Sequence, residues 1–321
     1  MEVKKNHLLS QTKTSFKISP YFQTKLCYVG QKEVFAEGST DIEEFLGVKI
    51  SAKQIENVSH YWGEEYGKLM DSENFEKTKR SKGLHYVMMD GAMILSREPS
   101  WKEVKLGRIF KADDAYVLGN EENARGWIRQ SNYTAHLGNC HDFFDKMSPK
   151  VDLLEEFIGI ADGAKWIWEW FDQHYPTAPQ ILDYWHGVEH LWKFAKLVFK
   201  TGEEQKRWIE QQEKLLWEDN IEQVILEISD LVVTKKSVIQ EKESLLTYLK
   251  NNKARMKYGT FKNKGWLVGS GAIESAHRTV IQKRMKLSGQ RWTLNGAQQI
   301  LNLRVAHKNE NWTQVVQLIA A

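Results

Sequence analysis

Three acidic residues occupy positions from which a metal-dependent nuclease site can be built. Asp90 follows the apolar run at 84–89, Asp162 follows the apolar run at 157–161, and Glu274 lies in the first turn of a predicted helix. If the two runs are adjacent parallel strands, their end residues lie close together, and a helix crossing that edge adds the third carboxylate. Such clustered oxygen ligands suit Mg²⁺ or Mn²⁺, and two ions roughly 3.5 to 4 Å apart would clamp the attacking and leaving oxygens of a phosphodiester. The three acids therefore predict metal-assisted phosphodiester chemistry.

Each of these acids also has an ordinary structural explanation. Asp-Gly is a common turn dipeptide, which accounts for Asp90 and Asp162 taken singly. An acid in the first turn of a helix interacts favourably with the helix dipole, which accounts for Glu274. The metal-site hypothesis therefore depends on all three acids occurring at the expected places in the order of elements.

A second group of polar residues lies in the segment LDYWHGVEH, which contains Asp183, His186 and His190. On a catalytic interpretation, His186 lies near the acids and Asp183 fixes the tautomer of its imidazole; on a structural one, Asp183 caps a helix and His186 packs. Two histidines four residues apart also share a helix face, as zinc ligands do, although the Glu of an HExxH motif is absent. A weaker metal-ligand spacing occurs in HLGNCH, through His136, Cys140 and His141.

Charge is unevenly distributed along the chain. Residues 251–321 contain 12 Lys or Arg and 2 acids, whereas residues 1–250 contain 33 Lys or Arg and 40 acids. A basic segment of this kind predicts contact with a polyanion, most simply double-stranded DNA, although a solvated basic helix is the alternative.

Glycines of the GSG segment precede a helix whose free N–H groups can hold a phosphate. The expected DNA-contacting residues are Arg278, Lys283, Arg284, Lys286, Arg291 and, as a stacking surface, Trp292.

The elements that must position these residues alternate in type. A meander of strands at 84–89, 103–110 and 133–137 is followed by helix, strand, helix and strand, which is the order of an RNase-H-like α/β core. Apolar residues at helical spacing predict that 202–250 is entirely helical and inserted into that core. We divide the chain into an N-terminal arm with a small helical, potentially DNA-binding region (1–82), the first part of the core (83–200), the helical insertion (201–268) and C-terminal helices that complete the core (269–321).

Composition excludes several classes of protein. The 321 residues are 41% hydrophobic and 27% charged with only 5 Pro, which is typical of a compact fold and not of a disordered or fibrous chain. No apolar run approaches the roughly 18 to 20 residues of a membrane span, and the N-terminus lacks the apolar centre of a signal peptide. We therefore expect a cytoplasmic protein with no membrane partner. Cys27 and Cys140 are too few and too far apart for a disulfide framework or a Cys-based zinc ribbon.

Several ordered motifs within about residues 84–306 resemble one family. They are MDGAMI, WKEVKLGRIF, IGIADGAKWIW, ILDYWHGVEHL, YLKNNKARMKYGTF and GWLVGSGAIESAHRTVIQKRMKLSGQRWTLNGAQQILNLR. Together they resemble the bacterial insertion-sequence transposases of the ISKra type, which are similar to the mutator-like DDE transposases of the RNase-H-like superfamily. The resemblance implies a catalytic triad of Asp90, Asp162 and Glu274, two Mg²⁺ ions, and a (C/D)xxH motif at Asp183 and His186.

The same resemblance implies a function. A DDE transposase cleaves phosphodiester bonds at transposon ends and joins the 3′-OH to target DNA, so its partners are double-stranded DNA and, on that DNA, further copies of itself. Two alternatives remain open. One is an RNase-H-fold nuclease that cleaves without joining strands, and the other is a non-catalytic DNA-binding protein derived from a transposase.

Overall fold

The computed structural model describes residues 14–72, 79–98, 100–119, 123 and 125–321. These residues form two compact units. Unit 1 comprises the described residues of Met1–Gly83, Gly91–Glu155 and Ile273–Ala321, and unit 2 comprises Leu84–Asp90 and Glu156–Ala272. The beginning of the predicted N-terminal arm, at residues 1–13, lies outside the described residues.

Strands of the described chain form a mixed sheet and a separate ribbon. They are β1 (Ser81–Leu95), β2 (Trp101–Lys111), β3 (Ala115–Leu118), β4 (Arg125–Ile128), β5 (Asn132–Leu137), β6 (Leu154–Ala161) and β7 (Gln180–Leu182). Five of them follow the order β5-β2-β1-β6-β7, with β2 antiparallel to β5 and β6 parallel to β7. β3 and β4 pair as an antiparallel ribbon that the sequence did not predict. The α/β class is confirmed.

Helices make up most of the remaining described chain. They are α1 (Pro20–Lys32), α2 (Phe35–Leu46), α3 (Ala52–Asp71), α4 (Cys140–Val151), α5 (Lys165–His174), α6 (Tyr184–Val198), α7 (Gly202–Trp217), α8 (Ile221–Asp230), α9 (Lys236–Asn252), α10 (Tyr258–Asn263), α11 (Gly271–Ala276), α12 (Lys283–Met285), α13 (Leu294–Lys308) and α14 (Trp312–Ala320). A π-helical stretch, His277–Gln282, joins α11 to α12. None of the helices built from described residues combines the length and apolar character needed to cross a bilayer.

In unit 1, the N-terminal helices α1 to α3 pack with α13 and α14 around a shared apolar core. Ile55, Val58 and Trp62 point into that core from one face of α3, as their helical spacing predicts. The side chain of Ser51 accepts a hydrogen bond from the Gln54 N–H at 3.2 Å and so caps α3. The predicted small helical N-terminal region is therefore present.

In unit 2, strand β6 lies between layers of apolar side chains. Ile158 and Ile160 are fully buried, and Gly159 faces Phe171 of α5 so closely that a Cβ there would lie 2.5 Å from its ring. Helices α7 to α9 occupy the stretch at 202–250 apart from short connections at 218–220 and 231–235, so its predicted helical character is confirmed. β6, β7 and the helices after them thus form the frame in which Asp162 and the LDYWHGVEH segment are held.

The position of Asp90 differs from the one predicted. β1 does not end at Asp90 but continues through Gly91 to Leu95. A tight Asp-Gly hairpin turn needs a positive φ at its glycine, and Gly91 does not have one. Because the extended backbone is retained, Asp90 projects from within a strand.

Candidate active site

Asp162 lies immediately after the last residue of β6, as predicted. Its Oδ1 accepts a hydrogen bond from the Ala164 N–H at 3.0 Å, which holds the carboxylate against the turn that leads into α5. Gly163 between them has φ 117°, and a Cβ there would lie 2.9 Å from the ring of Tyr248. Only glycine satisfies both the backbone conformation and this close approach.

The carboxylates of Asp162 and Asp90 interact electrostatically within unit 2. Burial raises the pKa of Asp162, and the charge of Asp90 raises it further, whereas the Ala164 N–H and the charge of His186 lower it. The ionised form of Asp162 is therefore disfavoured by an apolar environment and by a second carboxylate. A nearby divalent cation would relieve both effects, so the pair fits such a ligand.

Tyr248 of α9 borders this pair, although no sequence motif had singled it out. Its hydroxyl donates a hydrogen bond to the Asp162 carbonyl at 3.5 Å. Burial raises the pKa of Tyr248, and the charges of Asp162 and Asp183 add to that effect, so the phenol stays protonated at neutral pH. The ring also packs on that of His190 with 4.2 Å between centroids. A helix assigned to the insertion therefore supplies a wall of the site.

Asp183 is a buried capping residue at the start of α6. Its Oδ1 accepts hydrogen bonds from the N–H groups of Trp185 at 2.7 Å and His186 at 3.3 Å. Its Oδ2 accepts from the N–H of Ser270 at 3.0 Å and also from the Ser270 hydroxyl. These donors engage both carboxylate oxygens, so the prediction that Asp183 fixes the tautomer of the His186 imidazole is wrong. The carboxylate instead joins two segments of unit 2.

The same hydrogen bonds involve the GSG segment, for which the sequence predicts a phosphate held by free N–H groups. One of those groups, the Ser270 N–H, donates to Asp183 instead. The sequence pattern did not reveal this because the two residues are 87 positions apart. Ser270 therefore serves to anchor the chain that leads into α11.

His186 and His190 lie side by side on α6, with 5.8 Å between ring centroids. The His186 side chain is 44% exposed, and its Nδ1 lies 3.8 Å from a carboxylate oxygen of Glu189. Burial lowers the pKa of His190, and the neighbouring positive charges add to this effect.

In the HLGNCH segment, His136 Nε2 lies 3.5 Å from Asp142 Oδ2 in unit 1. Throughout the described part of the chain, no three His, Cys, Asp or Glu side chains are grouped as a preformed metal site.

Glu274 belongs to unit 1, whereas Asp90 and Asp162 belong to unit 2. It is an exposed residue in the first turn of α11, as predicted. The helix then widens into the π-helical stretch, where the Arg304 guanidinium donates to the carbonyls of Thr279 and Val280. Arg304 thus satisfies carbonyl groups that a regular α-helical ladder would have paired.

Burial contradicts the predicted DNA-contacting role of Arg284 and Trp292. Arg284 is fully buried: its Nε donates to the Gly30 carbonyl at 3.0 Å, and its guanidinium lies over the rings of Phe35 and Trp292. Trp292 is 6% exposed and donates its indole N–H to the Met285 carbonyl at 3.1 Å. Both residues are core components of unit 1. The exposed members of the predicted set are Arg278, Lys283, Lys286 and Arg291.

Comparison with known proteins identifies a distant relative. No family model matches the chain. A curated protein of Streptococcus gallolyticus, described as "UPF0236 protein in vanSb 3'region", is 25% identical over 304 residues. The alignment covers 91% of this chain but 64% of the relative, so the chain spans less than two thirds of that protein's length.

Proposed function

We propose that this protein is a DDE transposase that cleaves phosphodiester bonds at transposon ends and joins the 3′-OH to target DNA. The observation that carries the proposal is that Asp90 acts electrostatically on the partly buried Asp162 in unit 2 and raises the pKa of that carboxyl. Asp90 lies in β1 and Asp162 directly follows β6, and these two strands are neighbours in the sheet. The resemblance assigns both acids as metal ligands.

The order of elements supports an RNase-H-like core. β1, β2 and β5 succeed one another along one side of the sheet, and β6 and β7 follow on the other after α4 and α5. The ribbon β3–β4 and helices α7 to α10 are then additions to this frame. A core of this kind presents its acids on central strands, where the backbone is held by neighbours on both sides.

Asp90 and Asp162 would hold Mg²⁺ or Mn²⁺, with Glu274 as the third ligand implied by the resemblance. When bound, the two ions supply positive charge that stabilises the negative charge developing on the phosphate in the transition state. The protein's own contribution is to keep the carboxylates in place. The Asp162 carboxylate accepts a hydrogen bond from the Ala164 N–H, and the Asp162 backbone carbonyl accepts one from the Tyr248 hydroxyl.

His186 would then act on the DNA phosphate. Its imidazole is partly exposed, lies in the first turn of α6 and is among the groups that lower the pKa of Asp162. As a hydrogen-bond donor it would orient the scissile phosphate. Asp183 has a separate role, because it holds the start of α6 against Ser270, four residues ahead of Glu274 in the sequence.

The test is a strand-transfer assay with the purified chain. Linear DNA that contains the coding sequence and its flanks is incubated with a supercoiled target plasmid and Mg²⁺ or Mn²⁺. Cleaved ends together with joined products support a transposase. Cleavage without joining favours the RNase-H-fold nuclease, and DNA binding without either product favours the non-catalytic alternative.

We expect His186→Ala to lower the single-turnover cleavage rate by roughly 10- to 100-fold, the scale of a lost positioning partner. Its side chain is half-exposed, so the free energy of unfolding should change by no more than about 0.5 kcal/mol. Melting temperature and cleavage are measured on the same preparation. Lys196→Ala, at an exposed position further along α6, is the control and should leave cleavage unchanged. A His186→Ala protein that is destabilised but cleaves normally per folded molecule would exclude the role.

We expect replacement of the four exposed basic residues by Gln to weaken binding to all DNA sequences alike. Each lost phosphate contact should flatten the slope of log K against log salt concentration by about 0.9. Fluorescence anisotropy at several salt concentrations measures both quantities. The variant changes Arg278, Lys283, Lys286 and Arg291, and the control changes the exposed residues Lys200, Lys206, Lys214 and Lys235. Equal effects of the two variants would show that the C-terminal residues form no dedicated DNA surface.

A further inference from the structure

Trp185 is an exposed indole held in a defined position beside the candidate active site. Its side chain is 62% exposed, although its backbone N–H is fixed by Asp183 at the start of α6. The ring meets that of Tyr184 edge-on, with 5.1 Å between centroids. Gly269 lies against its other edge, where an added Cβ would be 3.3 Å from the indole. A large aromatic face is thus presented to solvent without the freedom of a surface side chain.

The residues that pack beside the Trp185 indole belong to a surface of aromatic and basic side chains. Tyr184 packs on Trp217 with 4.7 Å between centroids, and the Trp217 indole N–H donates to the Tyr184 hydroxyl at 3.0 Å. Lys262 places its ammonium 5.1 Å from the Trp217 ring centroid. Lys264 similarly lies 4.5 Å from the ring centroid of Trp266. Aromatic rings and ammonium groups therefore alternate along this part of unit 2.

Acids neutralise only part of the charge of this surface, although Glu213 accepts a hydrogen bond from the Tyr184 hydroxyl at 2.9 Å. Residues 251–264 contain five Lys or Arg and no Asp or Glu. Two of the five form ion pairs, Lys253 with Glu222 and Arg255 with Asp172. The nearby Asp219 accepts hydrogen bonds from the start of α10. Within the described chain, no carboxylate lies at salt-bridge distance from the three exposed lysines that remain, which are Lys257, Lys262 and Lys264.

We infer that Trp185 stacks on an unpaired base of a DNA strand whose phosphates contact these three lysines. Proteins that hold single strands combine a positive surface with aromatic faces on which bases stack, and every base offers a π-face. The ammonium groups over the Trp217 and Trp266 rings disfavour an apolar protein partner, because such a partner would bury these charged groups in the centre of its interface. The sequence separation of Gly269 from Lys264 limits their distance to about 17 Å, so one short strand can reach both.

This inference rests on the proposed function and narrows its substrate. Trp185 directly precedes His186, which is among the groups that lower the pKa of Asp162. A base stacked on the indole therefore brings its strand to the candidate acids. The preferred substrate is DNA with an unpaired or extruded base near the scissile phosphate, and intact duplex binds less well because a base must first leave the stack.

The test measures DNA binding without divalent metal, so that no cleavage occurs. Single-stranded oligonucleotides carrying 2-aminopurine report stacking by fluorescence quenching and affinity by titration. We expect Trp185→Ala to lose the quenching and to weaken binding about 5- to 100-fold, whereas Trp185→Phe retains most of both. Trp127→Ala removes another exposed indole, 56% accessible, and is the control that should bind normally. Melting temperatures of all variants verify folding.

The lysines are tested by a different quantity. Replacing Lys257, Lys262 and Lys264 by Gln should flatten the salt slope by about 0.7 per lost contact, whereas Trp185→Ala should leave the slope unchanged. Binding by Trp185→Ala within twofold of the wild type, or an equal loss in Trp127→Ala, would overturn the inference. If the wild type binds as described but never cleaves DNA, the proposed function fails and the stacking surface stands.

Discussion

Asp162→Asn is expected to lower DNA cleavage about a thousandfold or more and to raise the melting temperature of the metal-free protein. The first effect follows because the amide removes a ligand charge worth several kcal/mol of transition-state stabilisation. The second follows because the amide keeps the shape that accepts the Ala164 N–H but removes a charge opposed by burial and by Asp90. Cleavage is measured with Mg²⁺, and melting is measured by calorimetry in a chelator.

The gain in melting temperature from Asp162→Asn should be larger at neutral pH than in acid. Because the pKa of Asp162 is raised in the folded state, its ionisation opposes folding at pH values above that pKa. As the pH falls through the raised pKa, the wild type becomes protonated and its disadvantage disappears. The melting temperatures of the two proteins should therefore differ at neutral pH and converge in acid.

Related variants separate a metal site from a general effect of charge. Asp90→Asn and Glu274→Gln should also abolish cleavage while DNA binding is largely retained. Asp230→Asn, at an exposed position at the end of α8, is the control and should cleave normally. Near-normal cleavage by any one of the three site variants would remove that residue from the site. Normal cleavage by all three would end the DDE interpretation.

Asp183→Ala is expected to destabilise the protein by about 3 kcal/mol. The change removes the cap of α6, worth about 1 kcal/mol, and leaves the buried Ser270 N–H and hydroxyl without their acceptor, which costs about 1 to 3 kcal/mol more. The measured quantity is the fall in melting temperature of the full chain. We expect cleavage per folded molecule to fall as well, because α6 carries His186.

Two milder variants distinguish this structural role from a catalytic one. Ser270→Ala keeps the backbone N–H bond and should cost less than Asp183→Ala. Asp183→Asn keeps one carbonyl oxygen and should be intermediate in stability. An Asp183→Asn protein that is as stable as the wild type yet inactive would instead indicate that the carboxylate acts in the chemistry.

Local patterns were sufficient to predict most elements of unit 2. The apolar run before Asp162 forms β6, and helical spacing in 202–250 forms α7 to α9. These features depend on side-chain period and on short-range capping, which are properties of neighbouring residues. The same rules failed at Asp90. The Asp-Gly dipeptide often forms a turn, but here it continues β1, which lies between two neighbouring strands of the sheet.

The basic C-terminal segment illustrates a different limit. Arg284 and Lys283 are adjacent in sequence and of the same charge, but only Lys283 is exposed. The side chain of Arg284 lies between the Phe35 and Trp292 rings, and Phe35 comes from a helix nearly 250 residues earlier. Composition counts both residues as DNA-binding candidates. It cannot distinguish them, because burial is decided by partners that are distant in the chain.

The sequence alone determined which residues carry acidic, imidazole and basic groups, and at which ends of its elements most of them lie. Tertiary structure decided how those groups are used. It brings Tyr248 to Asp162 across 86 positions and Ser270 to Asp183 across 87, and it turns Asp183 from a supposed partner of an imidazole into a buried anchor. The physical reason is that a hydrogen bond or a desolvated charge depends on distance in space, whereas propensity and periodicity describe only the chain nearby.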